Sequence, residues 1–471
     1  MSLKTKFDDE WKYWIWNNVN RGCSKKGIYE ILLKNNFDEN AIMNELSFRL
    51  EDEKKSICKF DSKLSWSNIF IPNAIKYNSN KLELYTLDNF LNKEECERLI
   101  NISKKNLIKS TITNQDSEPD KYFRTSYTCY LDRGHNLEDL EFTKNIDKRI
   151  CKMLGINSSY SEPIQLQKYQ IGQEFKKHTD YFVNESFKKH CIEKGNRTWT
   201  FMIYLNNCEE GGATHMFKIN KRFYPKRGRA IIWNNLNIDG TCNENTLHAG
   251  EKIIKGEKYI ITKWFREKGN GPKFNRLLYN LYPNFTSIGF KKSRIPNELF
   301  YKIKKFYNNN INNFEKEINI PELKNDNLIS SNILHLTPKL KTEIDKVIKP
   351  ILEKWFNKKL IITSIYGIRS YLDGTSFEMH IDRKNTHVAS AILHIDNISD
   401  KSWPLRIFDN YYREHDIHFT PGDMVLYESA RCLHGYPIKF KGKYFRNLYV
   451  HYKTLDWDNK LKEIENKYNL E

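Results

Sequence analysis

No stretch of this sequence approaches the roughly eighteen consecutive apolar residues that a membrane-spanning helix needs. The opening MSLKTKFDDEWKYW also lacks the uninterrupted apolar segment of a secretory signal. A membrane is therefore not an expected partner, and a soluble cytoplasmic chain is the expectation. There is no CxxC pair either: the nine cysteines stand at 23, 58, 96, 129, 151, 191, 208, 242 and 432. An odd number without that spacing signals neither a disulfide framework nor a structural zinc site, so reduced thiols are expected. Positive charge is in excess, with Lys+Arg 77 against Asp+Glu 59 and a net of +18, but the basic residues are scattered along the chain. Scattered charge is weak evidence for an acidic partner. No collagen-like or other low-complexity repeat is present to suggest self-modification. Against these absences stand 471 residues with 39% hydrophobic and 14% aromatic content, too many rings for a disordered chain and enough length for roughly three domains.

Residues 8–55 place apolar side chains at helical spacing: Trp11, Trp14 and Ile15, then Ile28, Ile31 and Leu32, then Ala41, Ile42 and Leu46. Gly22 with Ser24 and Asn36 with Asp38 punctuate the pattern, so three short helices are predicted in a small accessory domain over 1–58. A connector over 59–81 follows. From Leu82 to Glu267 the texture is one of short apolar strands and turns, with one helix over 92–105 whose Asn92 and Glu95 fit a capping box. KGNGPKFN opens a linker over 268–285. Helices near 296–318 and 338–356 and strands over 360–453 fill a further domain, 286–457, before a charged tail, 458–471, read as a solvated helix. The fold class expected is mainly β with flanking helices (α+β).

An internal repeat carries the chemistry. Tyr169-x-x-Gly172-x-x-Phe175-x-x-His178-x-Asp180 recurs as Tyr371-x-x-Gly374-x-x-Phe377-x-x-His380-x-Asp382, with all six positions in agreement. A lone His-x-Asp means little, but six identities at one spacing arise by chance at about the one per cent level. His and Asp two apart on an extended segment point to one face and can reach one ion. Two neutral imidazoles with one carboxylate suit Fe(II) and leave coordination positions open for an oxidisable substrate and O₂. The second imidazole is supplied by His248 in TLHAG and by His434 in CLHG. A strand-like run precedes each (GRAIIWNN and PGDMVLYES), and a glycine stands eight residues after each, Gly256 and Gly442. Two metal sites are thus expected: His178, Asp180, His248 and His380, Asp382, His434. Gly172 and Phe175 fit turn and packing roles, and Tyr169 is expected to face the pocket. Lys258, just ahead of the apolar run YIIT, needs an anionic partner if buried.

RTSYTCYL, YQIGQEFKKHTDYF, RTWTFMIYLNNCEEGGATHMF and LHAGEKIIKGEKYIITKWFRE make residues 82–267 resemble the catalytic domain of prolyl 4-hydroxylases. These are 2-oxoglutarate- and Fe(II)-dependent dioxygenases built on a double-stranded β-helix, or jelly roll. The resemblance implies that His178, Asp180 and His248 hold iron and act in catalysis. It implies that Lys258 receives the distal carboxylate of 2-oxoglutarate with help from Tyr169. Arg124, Arg197 and Trp264 are implied to lie near a proline-containing peptide, with a mobile lid in the loop before Arg124. Peptidyl proline would be 4-hydroxylated with release of succinate and CO₂, and ascorbate would rescue uncoupled iron.

Residues 286–453 look like a more distant oxygenase domain, so two tandem double-stranded β-helices are expected beside the helical N-terminus. That second half lacks the EGG segment, and matching Gly442 to Gly256 places Tyr444 where Lys258 stands. Arg446, with Lys443 and Arg383 as further candidates, is the expected substitute anchor, and 2-oxoglutarate is expected to bind more weakly there. Three other readings compete: hydroxylation of another protein side chain, nucleic-acid demethylation, and a second domain that only recruits a partner. Demethylases of this chemistry carry an Arg-x₅-Arg pair on the terminal strand, which this chain lacks, so nucleic acid is not expected as a partner. Oligomeric state is not legible.

Overall fold

Arg197–Tyr204 and Lys258–Arg266 are buried along their whole lengths, as befits central strands rich in β-branched and aromatic residues. They lie side by side in a computed structural model that describes residues 3–20, 25–46, 69–111, 123–237, 239–271, 273, 278–318, 320, 323–325 and 329–468. The chain is mostly β with helices and groups into two compact units, Lys59–Arg276 and Leu277–Glu471 together with Met1–Cys58.

In the Lys59–Arg276 unit every strand pairing is antiparallel. An eight-stranded sheet runs Ile75–Lys76, Leu84–Leu87, Ala230–Asn234, Arg197–Tyr204, Lys258–Arg266, Gln165–Tyr169, Tyr127–Tyr130, Ile108–Lys109. A four-stranded sheet runs Lys221–Phe223, Thr214–Met216, His248–Gly250, Phe175–His178. Period-two alternation sends Lys258, Ile260, Thr262 and Trp264 of one strand into a shared cavity. From the opposite face Lys263 reaches the helix Leu137–Leu154, where its Nζ lies 2.6 Å from Asp147. The capping box expected at Asn92 is present, with Asn92 Oδ1 accepting from Glu95 N–H and Glu95 Oε2 accepting from Asn92 N–H. The helix Leu137–Leu154 itself was not anticipated, although Asn136 caps its start and Gly155 ends it in the left-handed conformation.

The other unit repeats the plan with longer strands. Seven strands run Phe290–Arg294, Asp423–Tyr427, Ala389–Ser399, Gly442–Thr454, Leu360–Tyr371, Ile329–Leu334, Glu315–Ile318. Five run Leu323–Lys324, Ser376–His380, His434–Tyr436, Leu405–Phe408, Glu414–Ile417. Pro338–Phe356 lays Ile344, Ile348 and Leu352 into the core of this unit. The tail helix, expected to be solvated, spans Trp457–Tyr468 and buries Trp457 and Leu461 in that same core. Three N-terminal helices, Asp9–Asn20, Lys25–Lys34 and Glu39–Leu46, close around Ile15, Ile28, Leu32, Phe37 and Ile42. They group with the C-terminal strands: Glu30 lies 3.3 Å from Lys324, and Asn18 lines the cavity of this unit. Residues 59–68 of the connector, the lid before Arg124, Cys23, Cys58 and residues 272, 274 and 275 of KGNGPKFN lie outside the described residues. No helix among the described residues is long and apolar enough to cross a membrane.

Candidate active site

The repeat builds the same local geometry twice. Gly172 and Gly374 have φ of +81° and +80°, so each turn is open to glycine and strained for other residues. Each turn delivers a short strand that pairs with the strand of the second histidine: His178 stands opposite His248, and His380 opposite His434. Phe175 stacks on His178 with ring centroids 3.5 Å apart, so the aromatic of the repeat fixes the imidazole plane. Tyr169 lines the cavity, as expected.

In the Lys59–Arg276 unit one ligand atom each from His178, Asp180 and His248 falls within a 4.8 Å sphere of mutual separation. His178 Nδ1 lies 2.8 Å from Lys176 O, and His248 Nδ1 2.8 Å from Thr246 O. A carbonyl only accepts, so each Nδ1 carries the proton and each Nε2 presents a lone pair. His178 Nε2 is 3.9 Å from Asp180 Oδ1, too long for a hydrogen bond but less than twice a metal–ligand bond of about 2.1 Å. Burial, aided by His248, pushes the His178 imidazole down to about 3, so it is neutral and able to ligate at any ordinary pH. Burial would raise the Asp180 carboxyl, but His248, His178, Arg197 and a 2.6 Å hydrogen bond from Thr200 Oγ1 hold it below the usual carboxylate range. The donor set fits Fe(II): two neutral imidazoles and one carboxylate on one side of the ion.

Lys258, 1% exposed, lines the same cavity as the triad. Its Nζ donates to Gly212 O at 2.9 Å and sits 4.4 Å over the Tyr169 ring. Among the described residues no carboxylate forms an ion pair with it, and burial lowers its ammonium to about 8. The EGG segment makes this position possible. A Cβ on Gly212 would meet Ile253 Cδ1 at 2.6 Å and Lys258 Cδ at 3.4 Å, and one on Gly211 would meet Lys252 O at 2.3 Å. Gln167 Nε2, in the same cavity, is buried without a hydrogen-bond partner while its Oε1 accepts from Thr262. An unpaired buried cation and an unpaired amide donor facing one space fit a dicarboxylate co-substrate.

A second cavity is lined by Arg124, Glu162, Asp180, Arg197 and Trp264 among others, and meets the first at His178 and Asp180. Arg124 lines both, with its guanidinium 4.8 Å from the Phe175 ring. Trp264 also lines both, and its buried Nε1 has no partner. Arg197 lines this second cavity with its charge already matched. Its guanidinium forks onto Glu162 at 2.7 and 2.8 Å, lies 3.9 Å over the Trp264 ring and reaches Asp180 O at 3.4 Å. Arg197 therefore braces the backbone of a metal ligand. Gln167 and Thr200 were missed from the sequence, because an inward glutamine or threonine on a strand carries no local signal until its register is known.

In the other unit His380, Asp382 and His434 are brought together in the same way, whereas Arg446 is not beside them. The Arg446 guanidinium sits 3.6 Å over the Tyr444 ring and hydrogen-bonds Ser370 Oγ and Tyr307 OH; it does not line the cavity.

Comparison with known proteins gives a consistent family. The 2OG-Fe(II) oxygenase superfamily matches residues 164–266. A probable prolyl 4-hydroxylase 3 of Arabidopsis thaliana is 32% identical over 201 residues, spanning 38% of this chain and 68% of the relative. A putative prolyl 4-hydroxylase of Acanthamoeba polyphaga mimivirus is 30% identical over 189 residues, spanning 39% of this chain and 74% of the relative. Among solved structures, the viral collagen prolyl hydroxylase of Paramecium bursaria Chlorella virus-1, in complex with 2-oxoglutarate, is 27% identical. It covers 39% of this chain and 95% of its own, with a TM-score of 0.31.

Proposed function

The chain belongs to the prolyl 4-hydroxylases of the 2OG-Fe(II) oxygenase superfamily, and from that premise we propose how its residues share the work. It is a 2-oxoglutarate- and Fe(II)-dependent dioxygenase that hydroxylates proline in a peptide or protein, releasing succinate and CO₂. The observation that carries the reading is one cavity lined by both the His178, Asp180, His248 triad and the buried Lys258, which has no carboxylate ion pair among the described residues.

Fe(II) and 2-oxoglutarate, once bound, supply the oxidative chemistry that cleaves an unactivated C–H bond. His178 and His248 offer neutral Nε2 atoms to the ion, and Asp180, steadied by Thr200 and Arg197, offers a carboxylate. Lys258 receives the distal carboxylate of the co-substrate, Gln167 Nε2 donates a further hydrogen bond, and Tyr169 walls the space beside Lys258. Arg124 and Trp264 border both cavities and so guide the peptide toward the triad. Ascorbate is the reductant assigned to turnovers uncoupled from peptide. Both units are read as double-stranded β-helices, a reading supported by a long sheet paired with a short one that carries the His-x-Asp segment.

Anaerobic loading with Fe(II) and 2-oxoglutarate, then O₂ and a panel of proline peptides, tests the assignment by mass spectrometry. One added oxygen atom on proline with matching succinate is expected. Succinate formation that no proline peptide stimulates would point to another side chain as substrate.

A further inference from the structure

We propose that the triad of the C-terminal unit is a divalent transition-metal site that does not take 2-oxoglutarate, so that the chain holds two metal ions but one co-substrate. The metal half rests on geometry independent of the first site. His380 Nε2 and His434 Nε2 each lie 3.7 Å from Asp382 Oδ1, beyond hydrogen-bond reach yet close enough to share an ion. Their Nδ1 atoms are held by Glu378 O at 2.7 Å and Cys432 O at 2.8 Å, which turns both Nε2 atoms toward that oxygen. Tyr427 OH donates to Asp382 Oδ2 at 3.1 Å, so the carboxylate is oriented as well. Two imidazoles and one carboxylate select a first-row transition ion over Ca²⁺ or Mg²⁺, which prefer all-oxygen shells.

The co-substrate half rests on strand register. In the first unit Lys258 stands opposite Tyr169, and in the second Tyr371, the repeat counterpart of Tyr169, stands opposite Phe445. Phe445, rather than Tyr444, therefore occupies the position of Lys258. It is 2% exposed, in a cluster with Trp403, Tyr436 and Phe440, where a carboxylate would lose its hydration for no counter-charge. Two places further along, Asn447 pairs with Arg369 as Ile260 pairs with Gln167. The Arg369 guanidinium does line the cavity, but it forks onto buried Glu317 at 2.8 and 3.0 Å. Glu317 also accepts from Ser331 Oγ at 2.8 Å and Tyr366 OH at 3.0 Å, so displacing it would break four hydrogen bonds. Arg383 also lines this cavity, but it follows Asp382 as Tyr181 follows Asp180, and in the first unit Tyr181 lines the cavity shared with Glu162 and Arg197 rather than the one that holds Lys258. Lys443 is exposed.

The test is stoichiometry on the full chain, loaded anaerobically with Fe(II): metal by plasma mass spectrometry, 2-oxoglutarate by calorimetry and by the metal-to-ligand absorption band. Wild type should hold two Fe(II) and one 2-oxoglutarate per chain. His380→Ala with His434→Ala should lose one metal and keep the full 2-oxoglutarate stoichiometry. His178→Ala with His248→Ala should keep one metal and lose all 2-oxoglutarate binding. One metal in wild type, or metal content unchanged in the His380 and His434 variant, overturns the metal half. Two molecules of 2-oxoglutarate per chain, or binding that survives in the His178 and His248 variant, overturns the exclusion by Phe445. Failure of the prolyl hydroxylase reading is separate: it shows as no 2-oxoglutarate bound in wild type, whatever the metal count. The wild-type numbers decide even if a variant fails to fold.

Discussion

Raising the pH through 8 should weaken 2-oxoglutarate binding at the first site, because Lys258 is the buried cation proposed to neutralise the distal carboxylate. Burial brings its ammonium from 10.5 down to about 8, with Cys208 and Glu251 opposing the drop. For a lysine whose folded-state value is depressed, the unfolded chain binds more protons between the two values. The cost of keeping Lys258 charged, about 3 kcal/mol from a shift of roughly 2.5 units, is present below pH 8 and fades toward 10.5. The apo protein should accordingly gain stability as pH rises across that window. Ligand affinity runs the other way. At pH 7 about nine in ten Lys258 side chains are charged and at pH 9 about one in eleven, so the dissociation constant should rise about tenfold between them. His178, held near 3, does not titrate in this range. Calorimetry with Fe(II)-loaded protein in buffers of different ionisation enthalpy reads both the affinity and the proton taken up. Lys258→Met should bind 2-oxoglutarate about ten- to a hundredfold more weakly, the worth of a charge-assisted pair at ~1.5 to 3 kcal/mol, and should lose the pH slope. A Lys258→Met protein that keeps the slope would refute the reasoning.

His178→Ala or Asp180→Ala should abolish peptide-dependent succinate formation while leaving the melting temperature of the apo chain near wild type; full turnover in either would remove the triad from the mechanism. Arg197→Ala leaves Glu162 buried with only Arg266 beside it, and should destabilise the Lys59–Arg276 unit by about 3 to 5 kcal/mol in denaturant unfolding. Asn92→Ala removes one half of the capping box and should cost about 1 kcal/mol in the same assay, with no change in 2-oxoglutarate affinity.

Much of the architecture could be read because its signals are local. Asn92 and Glu95 announced a helix start three residues apart, and the periodicity over 338–356 matched the helix Pro338–Phe356 at both ends. Leu137–Leu154 escaped notice although Asn136 and Gly155 bracket it, because the short apolar runs on both sides favoured strands throughout that region. The tail was read from its charge alone. Trp457 and Leu461, four residues apart, are a minimal buried stripe, and only the core of that unit shows which face they form.

The anchor of the second site shows where sequence counting stops. Gly256 and Gly442 each stand eight residues after a metal-triad histidine, which makes them look equivalent. Gly256 has φ of +82° in the turn two residues before Lys258, whereas Gly442 is itself the first residue of the strand Gly442–Thr454. Lys258 is two places from its glycine and Phe445 three from its own, so matching glycines slips the alignment by one residue. In a strand a slip of one exchanges the faces. Tyr444 thereby moves to the opposite face of the strand, where it meets Arg446 and Asp396, and Phe445 moves in among Trp403, Tyr436 and Phe440. The frame that is free of this error is the pairing of Tyr169 with Lys258 and Tyr371 with Phe445, since the tyrosines belong to a repeat whose spacing admits no slip. Partners in that pairing are about 90 residues apart in the first unit and 74 in the second, a separation that no local pattern spans. The same slip misdirected the choice of Arg446: on the outward face with Tyr444 it meets Tyr307 and Ser370, whereas two other arginines line the cavity, Arg383 beside Asp382 and Arg369, which comes from the neighbouring strand already matched by Glu317.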